Sequence, residues 1–174
     1  MHVGAGGYAS GIVSRSHRMI RRLASTAALA LLLAGCGSGP VRRVSEPSAS
    51  IQQLTVRADG RWDVALRLNN FSSVAMRFDA TALDLAFDNG TAARLELRPG
   101  LDVAPESADV HTATITPTPA GRARLATALA DGRGLDYTLR GTVEATPQDG
   151  KPKTWTLKRE SALSPVPGLP GALR

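Results

Sequence analysis

Apolar residues recur at every second position from residue 51 onward. Trp62, Val64, Leu66 and Leu68 alternate with Asp63, Ala65, Arg67 and Asn69, which predicts a strand with one buried face. Val74, Met76 and Phe78 alternate with Arg77 and Asp79 in the same way. Leu83, Leu85 and Phe87 lead into Asp88-Asn89-Gly90, and Ala93, Leu95 and Leu97 then alternate with Arg94 and Glu96. Asn-Gly between two alternating runs is a strong hairpin cue, because both residues tolerate positive φ. Leu54 and Val56 predict an earlier strand, turned at Ala58-Asp59-Gly60. Residues 110–115, the set Tyr137, Leu139 and Val143, and the pair Trp155 and Leu157 predict three more.

One stretch changes period. Pro119 to Ala130 is rich in Ala and Leu, with Leu125 and Leu129 four apart. Thr118 is placed to cap a helix of about three turns, Pro119 to start it, and Asp131-Gly132 to end it, with Gly121 as a weak point. The Pro- and Gly-rich residues 164–174 cannot serve as an interior strand and are expected to form an extended tail. About seven short strands, one short helix and no βαβ rhythm predict an all-β fold, an antiparallel sandwich over residues 51–163, with a barrel as the second architecture.

The first fifty residues follow another logic. Arg21 and Arg22 precede an apolar run of about eleven residues, 23–33, and no acid occurs before Glu46. That is the length of a signal-peptide core and too short to span a bilayer, which needs about 20 residues. Leu33-Ala34-Gly35-Cys36 then resembles the box that precedes the lipidated cysteine of bacterial lipoproteins. The resemblance implies that residues 1–35 are a signal peptide and that the Cys36 thiol accepts diacylglycerol. A further acyl chain (palmitate, for example) would sit on the freed amine, and two or more chains hold a protein stably to a membrane. Gly37, in place of Asp, resembles lipoproteins sent to the outer membrane. Residues 1–18, Gly- and Ser-rich, sit awkwardly ahead of this signal, which suggests initiation at Met19. Residues 36–50 are expected to form a flexible tether.

Charge and chemistry narrow the reading further. The chain has 21 basic and 15 acidic residues, a net of +6. Removing residues 1–35 takes away Arg15, Arg18, Arg21 and Arg22, leaving 17 basic and 15 acidic residues, a net of +2. A basic chain no longer argues for nucleic acid, and the aromatic residues fall mostly on the apolar phase of strands, as core packing requires. His111 is the one histidine after the leader. Ser107 and Asp109 lie near it in sequence, but no Gly-x-Ser-x-Gly elbow is present. The acids are scattered and no His/Cys cluster exists, so neither a metal site nor a cofactor site is expected. A lone cysteine destined for lipid leaves no thiol for catalysis.

One family is reached through particular residues. Val64-Ala65-Leu66-Arg67-Leu68-Asn69-Asn70-Phe71, then Val74-Ala75-Met76-Arg77-Phe78 and Leu83-Asp84-Leu85-Ala86-Phe87, resemble the late embryogenesis abundant type 2 domain, also called the water stress and hypersensitive response domain. The helix at Pro119, the Tyr137-Thr138-Leu139-Arg140-Gly141-Thr142-Val143 strand and residues 155–161 resemble its closing order. That family has Asn-Pro where this chain has Asn70-Phe71. The resemblance implies an immunoglobulin- or fibronectin-type-III-like sandwich, a link with desiccation tolerance, and no catalytic residues. The expectation is therefore a non-enzymatic, lipid-anchored protein facing the periplasm from the outer membrane. The alternatives are an adaptor or lipid-handling component of an envelope complex, with an envelope protein as partner, and a hydrolase built on His111.

Overall fold

The computed structural model describes residues 1–2, 42–88 and 90–174. The leader, Met19, the box at Cys36 and Asn89 lie outside the described residues. Residues 42–174 form one compact unit, built of nine strands and one helix among the described residues. The strands are β1 (Ser48–Val56), β2 (Trp62–Asn70), β3 (Met76–Phe87), β4 (Gly90–Leu97), β5 (Leu101–Val103), β6 (Ser107–Ile115), β7 (Leu135–Pro147), β8 (Lys153–Leu163) and β9 (Ala172–Leu173); helix α1 (Pro119–Ala130) follows β6. One sheet has the order β6-β2-β1-β9 and the other β4-β3-β7-β8, with β5 pairing along β3 beside β4. All pairings are antiparallel. The fold is the all-β sandwich that the alternation predicts.

Three breaks in the alternation become bulges, and each has a use. Apolar positions on β3 switch from Met76 and Phe78 to Leu83, Leu85 and Phe87, an even-to-odd change. A register shift between Phe78 and Ala80 absorbs it, so the two runs expected as separate strands join in one 12-residue strand. On β1 the switch from Ala49 and Ile51 to Leu54 and Val56 gives a shift between Ile51 and Gln53. There the Ile51 N–H donates across the core to the Tyr137 hydroxyl at 3.0 Å, which ties the two sheets together. On β4 a shift at Ala92 buries both Ala92 and Ala93 and presents Ala92 to α1.

The helix matches its caps. Thr118 Oγ1 accepts from the Gly121 N–H at 3.0 Å. At the other end the Gly132 and Arg133 N–H groups donate to Leu129 and Ala128 carbonyls, a Schellman ending that needs the left-handed φ of 61° at Gly132. Gly121 is a requirement of packing: a Cβ there would lie 2.6 Å from the Ala92 Cα and carbonyl oxygen. In the β3–β4 hairpin Phe87 pairs with Gly90, and Asp88, one residue before Asn-Gly, takes a left-handed φ of 46°.

The C-terminal residues differ from the expected tail. Residues 164–174 fold back, with Ser164 and Arg174 exchanging backbone hydrogen bonds and Ala172 and Leu173 fully buried beside Leu54 and Thr55. The prolines and glycines supply turns, and a two-residue edge strand needs little ladder. The folded chain also starts earlier than residue 51, because β1 begins at Ser48 and Pro47 is buried.

Candidate functional site

The sandwich has two ends. Residues 42–47, 71–75, 104–106 and 148–152 gather at the proximal end, where the compact unit begins. Helix α1, residues 57–61 and residues 164–174 gather at the distal end. The proximal end is organised by Asn70, the last residue of β2, which is 1% exposed. Its amide nitrogen donates to the carbonyls of Val74 (2.8 Å), Val103 (3.2 Å) and Ala104 (3.0 Å). Its oxygen accepts from the Ser72 N–H at 2.9 Å. An amide can do this because it carries both donors and an acceptor, so a buried polar group is fully satisfied. The loop therefore holds its shape with Phe71 where the resembling family has proline.

The segment expected as tether is woven onto that loop from Arg42 onward. Arg43 N–H donates to Ser73 Oγ at 2.9 Å, and the Ser73 N–H returns a bond to the Arg43 carbonyl at 3.0 Å. The Ser45 N–H donates to Ser72 Oγ at 3.0 Å. The Arg43 guanidinium spans the Phe71 carbonyl (3.2 Å) and Glu106 Oε1 (2.8 Å), and Arg42 donates to the Gln148 carbonyl. With the backbone held on both sides, Val44 and Phe71 point their apolar side chains to solvent, 43% and 51% exposed. The only other large apolar side chain so exposed within residues 42–174, among those described, is Leu169, at the distal end.

The sequence-predicted chemistry gathers less. Ser107, Asp109 and His111 lie opposite the buried Asn70, Leu68 and Leu66, so all three share the inward-facing side of edge strand β6. Same-face neighbours on a strand stand about 7 Å apart at their backbones, a gap that longer side chains bridge elsewhere in this fold, as Arg94 and Glu96 do at 2.7 Å. Among the described residues no hydrogen bond joins any two of these side chains. The described residues hold no group of three or more His, Cys, Asp or Glu side chains placed to bind a metal ion. No described helix is long and apolar enough to cross a membrane. Cys36, the expected lipidation site, lies outside the described residues.

Two troughs mark the outer face of the β4-β3-β7-β8 sheet. The larger, about 720 Å³, lies over Ala80 and Ala82 between Glu96, Arg98, Glu144 and Thr154. It exists because β3 presents alanines outward among longer neighbours. Thr81 at its floor is 3% exposed with an unpartnered hydroxyl. The smaller, about 460 Å³, is bordered by Asp88, Asp136 and Glu160. Glu160 is held below the usual carboxylate range by the Lys158 ammonium, and Asp88 pairs with Arg124, so these two of the three acids are already engaged. Asn70 and the bulges are what sequence reading missed as organisers. The Asn70-Phe71 departure from Asn-Pro was the available signal.

No family model matches the chain, and no curated protein matches its sequence. Several solved structures have a similar fold. A protein from Archaeoglobus fulgidus is 13% identical, covering 71% of this chain and 98% of its own, with a TM-score of 0.42. The solution structure of AT1g01470 from Arabidopsis thaliana is 10% identical, covering 75% and 85%, with a TM-score of 0.43. At2g46140.1, described as a late embryogenesis abundant (LEA) protein, is 16% identical, covering 91% of each chain, with a TM-score of 0.37. The neighbours thus include a LEA-like protein. Identities and superpositions this low transfer no activity, and the fold rests on the chain's own two sheets.

Proposed function

We propose that this chain is a non-enzymatic β-sandwich lipoprotein of the bacterial cell envelope. It is held by an acylated Cys36 and faces the periplasm from the outer membrane. The observation that carries the reading is Leu33-Ala34-Gly35-Cys36 behind an Arg pair and an eleven-residue apolar run, with the compact unit starting at Arg42. A hydrophobic leader, a small-residue box and a thiol are what lipid transfer and cleavage need. A folded unit downstream is what such an anchor carries.

The role we assign is protection of membrane or protein surfaces during water loss, as the resemblance to the late embryogenesis abundant type 2 domain suggests. The non-enzymatic part follows from the same resemblance, which implies no catalytic residues. Deletion of the gene is expected to lower survival of drying and osmotic shock, restored by wild type and not by Cys36→Ser. Unchanged survival would remove the protective role.

A second reading, an adaptor in an envelope complex, is favoured by β6 and β8, which end their sheets and, among the described residues, leave one ladder side unpaired. Co-purification of one defined protein from cross-linked membranes, lost when Pro is placed on β8, would favour it over passive protection.

A further inference from the structure

We propose that the proximal end of the sandwich rests on the bilayer, with Phe71 and Val44 seated at the boundary between phospholipid headgroups and acyl chains. The inference rests on the lipid-anchored reading above and goes beyond it, because an anchored domain can equally float clear of the surface on its tether.

Four observations carry it. Val44 and Phe71 are two of the three exposed large apolar side chains in residues 42–174 among those described, and both sit at this end. Their backbones are fixed by Asn70, Ser72, Ser73 and Arg43, so the side chains are presented outward at little entropic cost. Cys36 precedes Arg42 by six chain steps, which at full extension span at most about 22 Å. An anchor at Cys36 therefore confines this end, and not the one holding Leu169, to the membrane surface. Finally, Arg42 and Arg43 adjoin Val44, and Lys151 and Lys153 lie on or beside the neighbouring turn, against Glu46, Glu106 and Asp149. That is a small cationic excess suited to phosphate headgroups, with apolar seating as the larger contribution.

The test uses the mature acylated protein, purified from membranes and reconstituted in phosphatidylethanolamine–phosphatidylglycerol vesicles. Phe71→Cys, Val44→Cys and Leu169→Cys each supply one thiol for an environment-sensitive fluorophore, since Cys36 is blocked by lipid. The fluorophores at 71 and 44 are expected to shift to the blue and to be quenched by spin-labelled lipid, while the one at 169 reports water. All three reporting water on a protein whose Cys36 is acylated overturns the proposal and leaves the anchor intact. Shielding at 71 that appears only at high protein density, without lipid quenching, overturns it in favour of contact between copies. If mass spectrometry finds Cys36 unmodified, the anchored reading itself fails. The surface is then judged by co-sedimentation of the unacylated protein with the same vesicles. Phe71→Ser and Val44→Ser are each expected to lower it about tenfold and Leu169→Ser to leave it unchanged; equal effects of the three overturn the proposal.

Discussion

At the distal end, α1 lays Gly121, Leu125 and Ala128 on the sheets, Trp62 and Phe87 pack with ring centroids 5.9 Å apart, and Ala172 and Leu173 are fully buried. At the proximal end, a buried amide, two serines and the Arg43 guanidinium fix three loops, while Phe71 and Val44 stay outside. The first end closes with apolar residues and leaves Leu169 outside, whereas the second closes with hydrogen bonds and leaves both Phe71 and Val44 outside. A chain under selection for stability alone has no reason to build the second kind of end. The contrast is why the proposed bilayer contact is placed on the proximal loops.

The comparison can be broken or sharpened by substitution. Trp62→Ala removes the largest fully buried side chain and is expected to cost about 3–5 kcal/mol by urea denaturation, with all probes melting together. Asn70→Ala leaves three carbonyls and the Ser72 N–H without their partner, at an expected cost of about 2–4 kcal/mol. Its distinctive signature is local: hydrogen exchange is expected to accelerate in residues 42–47 and 71–75 before the distal end responds. Uniform acceleration would mean that the two ends are not independently closed. Gly121→Ala sets about 1 kcal/mol of helix propensity against a Cβ placed 2.6 Å from the Ala92 backbone. The clash wins, and a net loss of about 1–3 kcal/mol is expected; a gain would show that α1 is free to lift away.

Two carboxylates at the distal end link its stability to pH. The Thr114 hydroxyl, donating at 2.5 Å, and the Arg57 guanidinium hold the Asp63 carboxyl below its ordinary value of 3.8. Arg61 does the same to Asp59, chiefly through its backbone N–H. A depressed carboxylate contributes stability that is whole above its ordinary value and disappears as pH falls through the folded-state value. Stability is therefore expected to decline below about pH 4, and Asp63→Asn to flatten that decline; an unaltered acid profile would contradict the assignment. The smallest effect is expected from Phe71→Ser, within about 0.5 kcal/mol of wild type, because its side chain supports nothing inside the fold. A loss of several kcal/mol there would return Phe71 to the ranks of structural residues.

The alternation along β2, β3, β4 and β7 was legible in the sequence because each strand buries one face. The helix was legible in Thr118, Pro119 and Asp131-Gly132 because caps are local chemistry. The bulges at residues 52, 79 and 92 were visible only as phase changes, and their uses depended on partners far along the chain. Ile51 meets Tyr137 across the core and Ala92 meets Gly121 on the helix, and no local pattern reports either contact. Residues 164–174 read as a tail since Pro and Gly argue against a strand, yet two residues between turns are enough to close an edge. The Asn70 cluster was hidden for the same reason: its carbonyl partners come from 4 to 34 residues away.

The central claim is that this sandwich is carried on a lipid, and the mass of the mature N-terminus in the membrane fraction tests it most directly. The account predicts a chain beginning at Cys36 with diacylglycerol on the thiol and an acyl group on the amine. A mature chain that keeps residues before Cys36, or one with an unmodified thiol, would contradict it.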